Sequence, residues 1–427
     1  MTTTTTTSAV TDEPVTAIIP SWKTPIILGV FTILAFALFV FARRDSDEST
    51  FRISTPSDAI QVPELVLPTF LTGMIVIALL AVLAVFATVV VARGGKPRLW
   101  LSIVFAVLFL WGFLAWAGAG SSLPLYGLLV GTITLSVPLI FGALGGVISE
   151  RVGVVNIAIE GQLLAGAFSS AVVASITKNP FAGLLAAGLA GVLVSMILAA
   201  FAIKYLVDQV IVGVVINVLV VGITSFLYSQ VLQDDVPLLN TPVKFDVISI
   251  PLLSEIPLIG PALFRQTFIV YLVYVAVAAV WFAMFKTKWG LRLRAVGEHP
   301  KAADTVGINV RAQRFWNVSL AGLIAGFGGA YFTLGSVGAF NKEMTAGAGF
   351  IALAAVIFGK WDPIRATLAA LLFGFASNLQ SVLGIIGSPV PSEFMLMLPY
   401  VVTIFAVAGL VGVSRGPAAS GKPYVKQ

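Results

Sequence analysis

The chain has 427 residues, of which 58% are hydrophobic and 10% charged, with a formal net charge of +6, no cysteine and a single histidine. That balance excludes a soluble globular domain, a disulfide scaffold, and any thiolate or His-cluster metal site. Nucleic-acid binding is a poor use for the positive charge, because no basic and aromatic surface pattern accompanies it. Successive apolar runs of about twenty residues predict instead an all-α integral membrane protein, a polytopic bundle of about 11–12 transmembrane segments.

In chain order, residues 1–24 open with MTTTTTT and read as a polar, disordered N-terminal tail without a cleavable signal. Residues 25–121 form a transmembrane extension with apolar runs Pro25–Ala42, Leu65–Ala92 and Leu99–Gly120. Beyond Pro124 Gly and Ala become frequent and the spans draw closer together, so a second domain is assigned to 122–415. It begins with Leu125–Ile148, the link Ser149-Glu150-Arg151, and Val152–Ile176, followed by Phe181–Ile203 and Val207–Val231. A long Pro-rich connection at 232–264 leads to Thr267–Phe285. Phe315–Val337, Gly347–Gly359, Ile364–Gly384 and Phe394–Val413 follow, with a C-terminal tail at 416–427. Gly347–Gly359 is short for a full crossing.

Between Thr267–Phe285 and Phe315–Val337 lies the loop 286–314, KTKWGLRLRAVGEHPKAADTVGINVRAQR, with seven Lys/Arg against Glu298 and Asp304. A short loop this positive is expected on the cytoplasmic side, since positive charge beside a span resists translocation. Counting spans from it puts 232–264 outside and the C-terminal tail, with Arg415, Lys422 and Lys426, inside. Arg43 and Arg44 then fall outside, against the rule. The centre of the loop is predicted to be a short helix over 299–306. Pro300 suits its first position and Gly307 the left-handed residue just past its end. Ala302, Ala303 and Val306 are expected on one small apolar face, made to be held by another protein.

Residues 125–231 and 315–413 each run long span, polar link, short apolar segment, then two spans. One extra span between them inverts the second block, and inverted repeats with interrupted segments are a transporter signature. Gly142, Gly145 and Gly146, like Gly322, Gly326 and Gly329, are expected to let helices approach closely. Inside the apolar runs Glu160 is the notable polar residue. A carboxylate there costs roughly 2.5–3.5 kcal/mol to insert and needs a partner. It serves either as a structural hydrogen bond locking two helices or as a polar contact to a solute in the pathway, with Asn156 one turn earlier as its neighbour. Asn217, Asn378 and Gln380 are candidates of the same kind. Phe168, Phe226, Phe340, Phe350 and Phe373 could stack a ring, or simply pack. GPAASGK at 416–422 has the spacing of a phosphate loop, but Pro423 stands where Ser or Thr must hold magnesium, and neither strand nor helix flanks it. No nucleophile–base set, paired carboxylates or metal cluster is legible, so no enzyme is expected.

GGVISERVGVVNIAIEGQLLAGAF (145–168), GLRLRAVGEHPKAADTVGINV (290–310) and GAGFIALAAVIFGKWDP (347–363) resemble the permease subunits of ABC importers. The group is that serving branched-chain amino acids, ribose-type sugars and nucleosides, and the spelling is most similar to nucleoside-importer permeases. The resemblance covers about 122–415. It implies a coupling helix at 299–306 seated in a separate cytoplasmic ABC ATPase, with Gly297, Glu298, Pro300, Ala302, Ala303, Asp304 and Gly307 at the contact. Arg292, Arg294 and Arg311 would pair with acidic residues of that partner. It further implies a second permease subunit of a different kind and an extracellular substrate-binding lipoprotein received by 232–264. ATP and Mg would be bound by the ATPase, with no cofactor in this chain. Asn156, Glu160, Asn217, Phe350 and Asn378 would line the substrate pathway of a plasma-membrane importer. A sugar or amino-acid permease of the same group and an ion-driven secondary transporter are the alternatives.

Overall fold

Ten helices among the described residues are long and apolar enough to cross a bilayer. The computed structural model describes residues 22–42, 48–54, 58, 60–387, 393–394, 397 and 416–426. The span expected at Phe394–Val413 lies outside them, apart from Phe394 and Met397, as does the tail 1–21. The chain divides into two compact units: one comprises 1–50 and 66–121, the other 51–65 and 122–427.

The first unit is a three-helix bundle of α1 (Lys23–Phe36, continued by a π turn to Phe41), α2 (Thr69–Ala92) and α3 (Leu99–Ala117). Phe39 is its keystone, packed against Gly73 and Gly112; a Cβ at Gly112 would strike its ring. Trp116 closes the end of α1 by donating its indole N–H to Ala42 O at 2.8 Å.

The second unit contains α4 (Leu125–Arg151), α5 (Ile159–Thr177), α6 (Pro180–Ala199) and α7 (Gln209–Leu227). Asn179 and Asp208 cap α6 and α7 by accepting from amides of their first turns. Two short helices, α8 (Val236–Leu239) and α9 (Ile259–Phe264), lie in the following connection. A small antiparallel ribbon there pairs Val247 with Thr267 and Ser249 with Arg265. Asn240 ties the connection to the far end of the bundle: its Oδ1 accepts from Phe340 N at 2.7 Å and its Nδ2 donates to Phe340 O at 3.0 Å.

Then come α10 (Phe268–Lys286), α11 (Lys288–Glu298), α12 (Pro300–Thr305), α13 (Val310–Ala330, continued by a π turn to Val337), α14 (Ala348–Phe358) and α15 (Pro363–Ile385). The 19 residues of α10 reach about 28 Å, one hydrocarbon thickness, which puts the 232–264 connection and the 286–314 loop at opposite ends of the bundle.

Helix contacts in the core are set by small residues. A Cβ added at Gly191 of α6 would collide with Gly322 O of α13, and one at Gly322 with Gly191 O. The two backbones therefore touch, as the glycine pattern predicted. The first helix of each half packs on later helices of the other half: α13 lies on α5 and α6, and α4 on α14 and α15.

Candidate functional site

Two junctions stand out in the second unit, one in the C-terminal half of α4 and one at its C-terminal end. At the first, α5 and α14 begin head to head. The residues after α4 do not continue as a span from Val152, contrary to expectation. Gly153 takes φ +96°, and residues 152–158 are not helical. Ile159 then packs on Gly142 and Gly146, so α5 starts about 8–14 Å inside the end of α4. From there α5 runs back along α4. In the opposite sense, Ala352 and Val356 of α14 meet Gly142 and Gly146 in turn.

Glu160 stands where both helices begin. Its Oε1 accepts from Thr345 Oγ1 at 2.6 Å and Gly347 N at 2.9 Å, and its Oε2 accepts from Gly349 N at 2.6 Å. One carboxylate therefore occupies the first turn of α5 and satisfies the free amides opening α14, where the positive ends of two helix dipoles meet. Gly349 has to be glycine, because a side chain there would strike the backbone of Glu160. Of the two readings open for Glu160, the structural lock is the one its contacts support, since the chain itself engages both oxygens.

Asn217 of α7 caps α5, accepting from Gly161 N at 2.8 Å and donating to Ile157 O at 2.9 Å. Asn156 is not the partner of Glu160: it lies in the non-helical link, so the one-turn spacing fails. It pairs instead with Gln162, amide to amide, at 3.1 and 3.2 Å, and Gln162 also donates to Ser195 Oγ. Asn378 is not brought to this junction either; it donates to Leu128 O near the opposite end of α4. Phe340 and Phe373 are fully buried core rings, whereas Phe350, one residue past Gly349, is 49% exposed. Among the described residues no group of three His, Asp or Glu side chains is placed to hold a metal ion.

The second junction lies at the end of α4. Glu150, buried, accepts from Trp361 Nε1 at 2.5 Å, and Arg151 Nε donates to Trp361 O at 2.9 Å. The corner they hold is unusual: Lys360 and Trp361 take φ +54° and +55°, a region that L side chains disfavour. Gly297 at the end of α11 presses on the Arg151 carbonyl, and a Cβ there could not fit. The SER, GEHP and KWDP segments, far apart in sequence, thus meet at one place.

Here α12 projects. His299 precedes it, Pro300 takes its first turn, and Gly307 follows at φ +84°, all as the sequence indicated, with the helix spanning 300–305 rather than 299–306. The expected apolar face is divided. Ala303 is turned inward at 3% exposure, while Ala302 is exposed and Val306 is 74% exposed. The helical period puts 302 and 306 about 40° apart, with 303 about 100° from 302 and about 60° from 306, and the packing of α12 turns the 303 side toward the bundle. Asp304 is half-buried and Glu298 exposed. Two features were not anticipated. The first half of the loop is itself helical, α11, burying Gly290, Leu293, Val296 and Gly297, a spacing that could have been read. Arg314, counted as loop charge, is buried at 2% exposure. Of the other arginines, Arg294 lies over the Phe285 ring at 5.2 Å, and Arg292 and Arg311 are exposed.

Residues 128–407 match the family described as branched-chain amino acid transport system / permease component. The chain belongs to this family. Among its relatives, the guanosine ABC transporter permease protein NupQ of Bacillus subtilis (strain 168) is 43% identical over 312 residues, 69% of this chain and 95% of the relative. The nucleoside ABC transporter permease protein NupC of Lactococcus lactis subsp. cremoris is 41% identical over 300 residues, covering 68% and 94%. The putative glucose ABC transporter permease protein TsgC13 of Haloferax volcanii is 36% identical over 258 residues, covering 60% and 77%. No solved structure matches the chain. This permease is thus a multi-pass membrane component of an ABC transporter. The family match begins within α4, so α1, α2 and α3 lie outside it.

Proposed function

We propose that the permease forms the membrane pathway of a nucleoside importer and is driven by a separate ATP-hydrolysing subunit through α12. The observation that carries the coupling reading is the projection of α12 from the junction of the three motif segments, with Ala302 and Val306 outward. An exposed apolar stripe on a short helix, braced from behind by Gly297 and Arg151, suits a groove in a partner. The positive loop charge sets that end in the cytoplasm, with the 232–264 connection outside to receive a substrate-binding lipoprotein. The crossed packing of α4 and α13, each on later helices of the other half, supports an inverted repeat. ATP and Mg belong to the ATPase, and a second, different permease completes the pathway in the plasma membrane.

The nucleoside reading draws on the guanosine and nucleoside permeases that are 43% and 41% identical. It is also supported at the first junction. Paired helix N-termini can hold an anionic group of a solute, but here Glu160 already fills that place, which suits an uncharged cargo. Phe350 offers an exposed ring nearby.

The test is uptake of labelled guanosine into proteoliposomes holding the full set of subunits, with glucose as competitor. Uptake that needs ATP and is not reduced by glucose is expected. Ala302→Arg should abolish it and release the ATPase while the chain stays inserted. Ala303→Arg is the wrong probe, since that residue faces the bundle. ATP-independent uptake by the permease alone would overturn the reading.

A further inference from the structure

The GPAASGK stretch, which cannot serve as a phosphate loop, has a definite place in the fold. Residues 416–426 cross the end of the second unit as an irregular strap, turned at 418–421, over α11, α12 and the start of α13. Ala419 N donates to Gly297 O at 2.9 Å, and Ala418 N to Glu298 Oε2 at 3.2 Å. Arg314 donates from Nη1 to Lys422 O at 2.9 Å and from Nη2 to Ala419 O at 3.4 Å. Tyr424, 8% exposed, sits beside Asp304 of α12. Arg314 is buried and answered by main-chain carbonyls, with no acceptor for its Nε. A buried cation in that state depends on the strap staying where it is.

The strap also finishes a surface. Between it and the loop lies a cavity of about 330 Å³, walled by Asp304, Asn309 and Arg311 on one side and Tyr424 and Lys426 on the other. Across this patch Lys301, Arg311, Lys422 and Lys426 stand against Glu298 and Asp304, two positive charges in excess. The α12 helix is six residues long with one buried side chain, too short to hold its own direction without neighbours.

We propose that the ATP-hydrolysing subunit grips α12 and the strap together, with an acidic side chain of that partner entering the cavity between Arg311 and Lys426. The proposal rests on the reading of α12 as the ATPase contact and adds a second element to it. The strap is both a wall of the socket and the brace that keeps α12 aligned. Charge selects the occupant, since a carboxylate entering the cavity meets cations from both walls.

The experiment titrates purified ATPase onto the reconstituted permease complex and compares Ala302→Arg, Lys426→Glu and a chain ending at Pro423. The last keeps the hydrogen bonds to Ala419 and Lys422 but lacks Tyr424 and Lys426. Lys426→Glu and the shortened chain are each expected to weaken association at least tenfold. The wild-type affinity should also fall more steeply with salt than that of Lys426→Glu. If both bind like wild type while Ala302→Arg does not, the strap is only a cover: the proposal fails and the α12 reading survives. If Ala302→Arg binds like wild type, the α12 reading itself falls, and the proposal with it.

Discussion

Replacing Glu160 by alanine takes away the acceptor for three donors at once: Thr345 Oγ1, Gly347 N and Gly349 N. The site is 7% exposed, so those donors have little access to water. At about 1–3 kcal/mol for each orphaned donor, the loss is roughly 3–9 kcal/mol before any water relaxes into the gap. Glutamine is milder. Its carbonyl oxygen can still serve Thr345 and Gly347, but its amide then faces the Gly349 N–H. One hydrogen bond and the charge at two helix N-termini are lost, roughly 2–4 kcal/mol together. Thermal unfolding of the purified permease in detergent should therefore rank wild type above Glu160→Gln and that above Glu160→Ala. Uptake per folded copy should be nearly unchanged in Glu160→Gln. A Glu160→Ala protein that melts with wild type but shows a raised KM would refute the lock and make Glu160 a solute contact.

Three further outcomes are expected. Asn217→Leu leaves Gly161 N and Ile157 O unpaired, and denaturant titration should register a loss of about 2 kcal/mol or more; an unchanged midpoint would count against the cap. Trp361→Phe removes the indole donor from buried Glu150 and should reduce both stability and uptake, whereas wild-type behaviour would mean that the corner at 360–361 holds itself. The third concerns pH. Burial, then the neighbouring Asp304, push the Tyr424 phenol above its ordinary value, with Arg311 and Arg314 opposing. The docked strap therefore favours the neutral phenol. Its contribution is complete below pH of about 10 and is lost as pH rises through the raised value. A spin label at Ser420 should gain mobility only in that alkaline range, and Tyr424→Phe should remove the transition; mobility rising near pH 7 would contradict it.

The helices were legible because runs such as Leu65–Ala92 and Thr267–Phe285 admit little else at that length. So were the ends of α12, since Pro300 and Gly307 each solve a backbone problem locally. What the sequence withheld depended on tertiary neighbours. Glu160 announced that it needed a partner but not which one, because Thr345, Gly347 and Gly349 lie nearly two hundred residues away. Ala303 and Val306 looked alike as small apolar residues, and only the orientation of α12 on the bundle separates inward from outward. Arg314 reads as one more loop cation until the strap covers it.

Arg314 recognises the strap through carbonyl oxygens, which every residue possesses. Selection there acts on the path of the chain more than on its spelling. Exchanges at Ser420, Lys422 or Pro423 would leave those oxygens in place. Inserting or deleting a single residue between Ala419 and Tyr424 would shift the register and present the guanidinium with the wrong part of the backbone. Apart from Gly421, at φ +74°, and the side chains of Tyr424 and Lys426, the segment can therefore drift in letters while remaining fixed in length.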